Sequence, residues 1–363
     1  MKVVSASSAG RRAWFGATAI VAAAVTILGS AARAQEGFNQ PGNILIADQY
    51  NNRVIEVVPS THQVVWRFGD GSSVAGPHSV VGTNDVQRVG TLTLIAGTGV
   101  PPGAEPSCPN GCQDNRVMLV DEFGKIVWQY GQTGIPGSGA DQLNTPVQNT
   151  WLPNGHVLIT DQANERVIEV TLAKKIVWQY GQTGVTGCGS DQLNNPNSAE
   201  LLDNGDVLMA DENNNRVIEV NRQKQIVWSY GSCTGTELSG AAFASRLPDG
   251  NTLITDSNNN RILEVTSAGA VVFTYYTNTQ AGSVSAPLPT RALRLKNGNT
   301  LISNQYDMQV IEIDPNQNIV FAQGQIAVAG NGFDQLNGPY DAKVNGDYTG
   351  ITPPFGDFFA SEP

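Results

Sequence analysis

The stretch NGDVLMADENNNRVIEVNRQKQIVWSYG, from Asn204 to Gly231, is written almost unchanged from Asn154 to Gly181 as NGHVLITDQANERVIEVTLAKKIVWQYG. A third clean copy runs from Asp249 to Tyr276, a looser one from Asn297 to about Gly324, and an opening one from Pro41 to Gly69. A sixth, interrupted copy lies between Gly90 and Gly131. The equivalent residues Asp161, Asp211, Asp256 and Asn304 are 50, 45 and 48 residues apart. A period of roughly 40–50 residues with several short strands per unit is the mark of a repeat that cannot bury its own faces and stacks on its neighbours.

One unit divides into four strand-like pieces. In residues 196–231 they are Ser198–Leu202, Val207–Ala210, Arg216–Val220 and Gln225–Tyr230, separated by the turn Asp203-Asn204-Gly205, a polar loop at 211–215 and the turn Arg222-Gln223-Lys224. Val, Ile, Leu and Trp fill the strands and Gly, Asn and Asp the turns, as antiparallel hairpins require. Four such strands make one blade of a β-propeller, and the count of units makes the propeller six-bladed and all-β. The first piece is missing at the N-terminus, where residues 35–40 are too few to supply it. A spare copy stands at the other end in DQLNGPYDAKV, residues 334–344, which matches DQLNTP at 141–146 and DQLNNP at 191–196. The C-terminal segment is therefore expected to be the innermost strand of the first blade, pairing the two free edges of the ring.

The expected domain boundaries are a signal peptide at 1–34, the propeller at 35–352 and a tail at 353–363. The first segment carries Lys2, Arg11 and Arg12, an apolar run from about Trp14 to Leu28, and the small-x-small sequence Ala32-Arg33-Ala34. That pattern reads as a secretory leader, too short and too Ala-rich for a membrane anchor. Arg11-Arg12 before Ala13-Trp14-Phe15 resembles a twin-arginine signal. Periplasmic or secreted localisation follows, with no integral membrane span after removal of the leader. The whole chain has 21 Lys+Arg against 32 Asp+Glu; removing four basic residues and no acidic ones leaves 17 against 32, a net charge of −15. Such a surface repels phosphate backbones, so nucleic acid is not an expected partner. All four cysteines lie beyond the leader. Cys108 and Cys112 flank a Pro-Asn-Gly turn, and Cys188 and Cys233 follow the Tyr-Gly that ends successive repeats. Two disulfides are the natural reading in an exported chain.

The repeated phrase resembles NHL-type repeats and those of arylsulfotransferase-like propellers. The residues that carry the match are Asp-x-x-Asn-x-Arg-Val at 161–167 and 211–217 and Ile-Val-Trp-x-Tyr-Gly at 176–181 and 226–231. The resemblance implies that loops between strands two and three, and loops between blades, form the ligand-binding face. It says little about activity, because these families hold binders, lyases and transferases.

Residues that recur in most copies are expected to serve the blade. These are the Asp–Arg pairs Asp48/Arg53, Asp161/Arg166, Asp211/Arg216 and Asp256/Arg261, which can tie a short loop. They also include Glu56, Glu169, Glu219, Glu264 and Glu312 in the third strand. Trp66, Trp128, Trp178 and Trp228, with Phe273 and Phe321 as later equivalents, would pack blade on blade. A site special to this chain should lie where copies differ. One such place is the insertion from Thr98 to Asn115, with Gly97 in place of the repeat Asp. Another is the start of each innermost strand, read as His78-Ser79, Val147-Gln148, Asn197-Ser198, Ala242-Phe243, Thr290-Arg291 and Tyr340-Asp341. From these, the candidate ligand-binding residues at the channel mouth are His78, Gln148, Asn149, Ser198, Arg291, Tyr340 and Asp341. No cofactor is expected; a calcium site from Asn149, Glu200 and Asp341 is compatible by ligand type alone. The chain has only three His, and His62 and His156 are expected in turns on the face opposite the ring, so a zinc site built from several His is a poor match. It has no Walker, Gly-x-Ser-x-Gly or HExxH sequence. The expected function is that of an exported, monomeric binding module for a protein or small molecule. The alternative is a sulfotransferase-like or lyase-like enzyme using His78 and Arg291.

Overall fold

The computed structural model describes residues 37–354. The expected leader at 1–34 and the last residues of the tail lie outside them. Six four-stranded antiparallel sheets form the six blades of a β-propeller. The innermost strands, in ring order, are Pro339–Val344, Thr83–Val89, Pro146–Trp151, Pro196–Leu201, Ala241–Arg246 and Pro289–Arg294. Each packs on the innermost strands at both sides. In blade 1 the order is Pro339–Val344, Ile44–Asp48, Arg53–Val58, Gln63–Phe68, so the first blade is built from both ends of the chain. The closing register pairs Ile44 with Val344, Leu45 with Lys343, Ile46 with Ala342 and Ala47 with Asp341.

Strand alternation explains why the ring holds. Successive side chains of a strand point to opposite faces. Leu45 and Ala47 enter a core shared with Val86, Ile95 and Met118 of blade 2. Ile44 and Ile46 enter another core, shared with Leu301 and Val310 of blade 6. Each of the six blade interfaces carries one such apolar cluster. The second strands are buried along their length, as in Val207–Asp211, apart from Leu92 at the start of that of blade 2. A strand covered on both faces reads as a continuous apolar run, which is why these segments lack polar alternation.

The recurring residues do the work of the blade. Arg53, Arg166, Arg216 and Arg261 donate from Nε to the Oδ2 of Asp48, Asp161, Asp211 and Asp256 at 2.6–2.7 Å. The other carboxylate oxygen accepts a backbone N–H from the segment entering the innermost strand, such as Asn144 to Asp161 at 2.7 Å and Asn337 to Asp48 at 2.7 Å. Glu56, Glu219 and Glu264 each accept from an arginine of the next blade, Arg88, Arg246 and Arg294. Those guanidinium groups lie over Trp66, Trp228 and Phe273. The indole N–H groups of Trp66, Trp128, Trp178 and Trp228 donate to a backbone carbonyl in the strand-three to strand-four turn of the following blade.

Blade 2 departs from the expectation in two ways. Its innermost strand is Thr83–Val89 and does not begin after Pro77, so the position read as His78-Ser79 belongs to Asn84-Asp85. His78 is exposed, six residues before that strand's second position. The missing repeat Asp is supplied from further along the chain. Arg116 donates to Asp114 at 2.5 and 3.1 Å, and Val81 N–H donates to the same carboxylate at 2.7 Å. Gly97 makes room for this: a Cβ there would lie 2.5 Å from the Asp114 carboxyl carbon. The insertion of 98–115 therefore keeps the tie while moving its acidic member across the loop.

Two outcomes test the assembly. Removing residues from Phe333 onward takes away the innermost strand of blade 1. The truncated chain should lose its ring cooperatively, read as loss of the near-ultraviolet circular dichroism of the packed tryptophans. A truncated chain that melts like the full one contradicts the closure. Asp114→Ala leaves the buried Arg116 without its carboxylate and should cost roughly 3–5 kcal/mol in urea unfolding. A loss below about 1 kcal/mol would show that blade 2 needs no such tie.

Candidate functional site at the disulfide-walled channel mouth

Each innermost strand carries a bulge where it reaches the mouth. The register of all six slips at one residue: Tyr340, Asn84, Val147, Asn197, Ala242 and Thr290. A bulge inserts one unpaired residue and re-aims its side chain. The fold thus turns one residue per blade out of the ladder at the channel opening. A second set comes from the short 3-10 turns that follow the repeat Asp, or Asn304 in blade 6; four of them begin with Gln49, Gln162, Glu212 and Gln305.

These sets meet the insertion of blade 2 around a cavity of about 390 Å³. Its wall includes Gln49, Asn84, Gln162, Asn195, Gln305 and Tyr340, with Glu212 as its one formally charged side chain. The contributing loops come from blades 1, 2, 3, 4 and 6. The insertion adds Val100, Pro101, Pro102, Cys112 and Gln113. It is pinned by backbone hydrogen bonds between Val100 and Cys112 at 2.8 and 2.9 Å. The Cys108–Cys112 disulfide, with Cα atoms 5.4 Å apart, staples its tip, and Asn337 Nδ2 donates to Glu105 at 3.3 Å. The second disulfide, Cys188–Cys233, joins loops of successive blades with Cα atoms 6.4 Å apart. Both pairings match the sequence expectation. A larger groove of about 640 Å³ runs beside Ile126–Gln129 at the outer edge of blade 2, but no other blade contributes to it.

The mouth is wired by amides. Gln305 Nε2 donates to Gln49 Oε1 at 2.6 Å, and Gln49 Nε2 donates to Asn84 Oδ1 at 2.7 Å. Glu212 Oε2 accepts from Asn197 at 2.8 Å, Asn195 at 3.3 Å and Gln162 at 3.4 Å. Asn197 also donates to the Tyr340 hydroxyl at 2.9 Å. Below this floor Arg291, 1% exposed, donates from Nη1 to Asn197 Oδ1 and to the Thr290 carbonyl. Its guanidinium lies 5.2 Å from the Tyr340 ring centre and 5.1 Å from that of Phe243. Burial pushes the Glu212 carboxyl above its ordinary range, offset in part by Asn197 and Arg291. Burial, reinforced by the Glu212 charge, pushes the Tyr340 phenol up to about 12. Tyr50 is raised as well, by burial and then by its hydrogen bond with Tyr306.

Deeper in the channel stands a buried ionic ladder. Lys343 Nζ donates to Asp85 at 2.8 Å and to Asp341. Asn149 Nδ2 donates to Asp85 at 2.7 Å, and Gln148 Nε2 donates to Glu200 at 2.7 Å. Glu200 also accepts from the backbone and hydroxyl of Thr352 at 2.9 and 2.7 Å. Gln87 donates to the Thr352 carbonyl, and Ile351 packs on Phe243 and Leu293. Contacts from the innermost strands of four blades therefore place residues 351–352 on the axis, plugging the end opposite the mouth.

The structure sorts the sequence candidates. Tyr340 lines the mouth and Arg291 supports it from beneath. Gln148, Asn149, Ser198 and Asp341 are buried deeper in the channel wall. His78 stands apart from them all. The calcium candidates Asn149, Glu200 and Asp341 turn to different partners. Among the described residues no three His, Cys, Asp or Glu side chains are placed to hold a metal ion. Sequence reasoning overlooked Gln49, Gln162, Glu212 and Gln305. Their signal was the variable position directly after the repeat Asp, inside an otherwise constant phrase.

No protein-family model matches the chain, and no curated protein matches it. Solved structures share its fold. A protein of unknown function from Bacteroides caccae superposes with a TM-score of 0.56 at 16% identity, over 78% of this chain and 93% of that one. A chain of the nidogen/laminin complex does so at 0.51 and 10% identity, over 77% and 92%. Virginiamycin B lyase from Staphylococcus aureus, with quinupristin, reaches 0.48 at 13% identity, over 78% and 85%. At such identities the likeness concerns the propeller alone. Among the described residues no helix is long and apolar enough to cross a membrane.

The ladder makes a pH prediction. One ammonium serves two carboxylates, and burial, with the neighbouring Asp341 charge, pushes Asp85 up to about 7 against the pull of Lys343. Because the folded value lies above the ordinary one of 3.8, the stability linked to this proton is complete below that value and is lost as pH rises through about 7. The Tm of the wild type minus that of Asp85→Asn should therefore fall by several degrees between about pH 5 and pH 7.5. A difference that does not change with pH, by scanning calorimetry at fixed ionic strength, contradicts this.

Proposed function

We propose that the protein is an exported NHL-like propeller that binds a ligand or partner at the disulfide-walled mouth of its channel. The observation that carries this reading is convergence: five blades and a stapled insertion direct polar side chains into one concave cavity, the usual form of a binding site. The axis below the mouth is filled by salt bridges and plugged at its far end, which favours a blind pocket over a through-channel. Two disulfides and the apolar N-terminal run with its Ala-x-Ala site support export to an oxidising compartment. The enzyme alternative through His78 and Arg291 gains no support from their positions, one exposed on a loop and the other buried under the floor.

A thermal-shift screen of small molecules against the full mature chain tests the reading, since a ligand of the folded state raises Tm by mass action. Hits should lose their shift in the mouth variant Gln305→Ala/Glu212→Ala and keep it in Val127→Lys, on the exposed outer strand of blade 2. Hits that ignore the mouth pair but vanish in Val127→Lys would move the site to the outer groove.

A further inference from the structure

The mouth has a chemical signature beyond its shape, and the inference from it rests on the binding reading above. Its polar wall is dominated by side-chain amides: Gln49, Asn84, Gln113, Gln162, Asn195 and Gln305. An amide both donates and accepts. The relay from Gln305 through Gln49 to Asn84 uses the inner members of that set against one another. A relay of three amides has an amide nitrogen unused at one end and an amide oxygen unused at the other, whichever way it runs. Here these are Asn84 Nδ2 and Gln305 Oε1. All three amide donors to Glu212 go to Oε2, which leaves Oε1 as an unused acceptor among the described residues. The Tyr340 hydroxyl accepts from Asn197 and so has its own hydrogen to donate. The wall thus offers both donors and acceptors. A bare cation is held by acceptors, and a bare anion by donors.

The fixed charges exclude both ions as well. An anion would meet Glu212 in a protein with far more acidic than basic residues. A cation would sit above Arg291, which is 1% exposed, lies against the Tyr340 ring, and keeps Nε and Nη2 without a protein partner among the described residues. The opposed charges of Glu212 and Arg291 leave a neutral ligand as the one that loses least on entry. Val100, Pro101 and Pro102 of the stapled loop provide an apolar part of the wall. A volume of about 390 Å³ is at the small end of the usual ligand range of roughly 300–1,000 Å³.

We propose that the mouth binds an uncharged polyhydroxylated ligand, a short neutral saccharide, whose hydroxyls match the amide ring and whose C–H face meets the proline wall. Hydroxyl groups donate and accept at once, and so they satisfy both ends of the relay together with Glu212 Oε1. The oriented amides act by selection: a ligand without hydroxyls leaves them unpaired on burial.

Isothermal titration calorimetry of the full mature chain tests this. The neutral probes are glucose, maltose, cellobiose and N,N′-diacetylchitobiose, and the controls are glucosamine, glucuronate and trialanine amide. At least one neutral probe should bind saturably and more tightly than every control. Gln49→Leu, which breaks the relay, and Glu212→Gln, which exchanges an acceptor for an amide, should each weaken that binding roughly tenfold or more. Both variants should keep the wild-type Tm within a few degrees, which separates lost recognition from lost folding. Tighter binding of glucosamine, glucuronate or the peptide, weakened by the same variants, overturns the saccharide class and leaves the mouth as the site. Saccharide binding that neither variant changes overturns both this inference and the mouth reading. If no probe binds, while a thermal-shift hit without hydroxyls depends on Gln305 and Glu212, the saccharide class is again overturned.

Discussion

The pairing of Ile44–Asp48 with Pro339–Val344 is the constraint on which the remaining structure depends. A propeller blade cannot bury either of its faces alone, so each blade is stable only between two others. An open ring would leave the outer faces of its first and last blades wet and expose a strand edge at the start. Building the first blade from both chain ends removes both defects at once. It also sets Tyr340 at the mouth and carries Lys343 and Asp341 to Asp85 in the next blade. The segment continues to Thr352, which plugs the channel against Glu200. Closure, ionic ladder, plug and part of the site thus belong to one short piece of chain.

Around that closure each interface carries an apolar cluster, which supplies most of the free energy. At four interfaces a Glu–Arg pair with the guanidinium over an aromatic ring adds to it: Glu56–Arg88, Glu169–Arg222, Glu219–Arg246 and Glu264–Arg294. The net worth of a single half-buried ion pair is small. Its repetition with the indole-to-carbonyl hydrogen bond serves geometry more than raw stability. The Asp–Arg tie acts at the other end of the blade, joining the second strand, the third strand and the entry to the innermost strand. Blade 2 shows how strongly this tie is needed. Where an insertion replaced the repeat Asp by Gly97, Asp114 enters the same place from the other side of the loop, and the absence of a Cβ at Gly97 lets it in.

The fold was legible because every blade solves one burial problem with the same residues, so the solution is written many times over. Counting strands was enough to find the closure. The innermost strand of blade 2 was misplaced because Pro77 imitates the prolines that open the strands at 146, 196, 289 and 339. Counting back from the hairpin glycine corrects it. Nine residues separate the strand start from Gly155, Gly205, Gly250 and Gly298, which places Pro77, thirteen before Gly90, too far away. The mouth was half legible. Tyr340 and Arg291 stood out by type, whereas Gln49, Gln162, Glu212 and Gln305 looked like ordinary loop residues. Their convergence depends on the bulges and 3-10 turns that aim them, and on the curvature of the ring, none of which a residue-by-residue comparison of repeats displays. The plug at 351–352 left no mark in the repeat at all.

A propeller held this way is rigid where its blades meet and free to vary where their loops end, so recognition can change without disturbing the ring. The central claim is that closure is as strong as any internal pairing. Native-state hydrogen exchange measures it most directly. The account predicts that the amides of Ile44–Asp48 and of residues 340–344 exchange only through global unfolding, with the same free energy as those of Pro196–Leu201. Exchange of residues 340–344 by a local opening of much lower free energy, while Pro196–Leu201 stays protected, would contradict it.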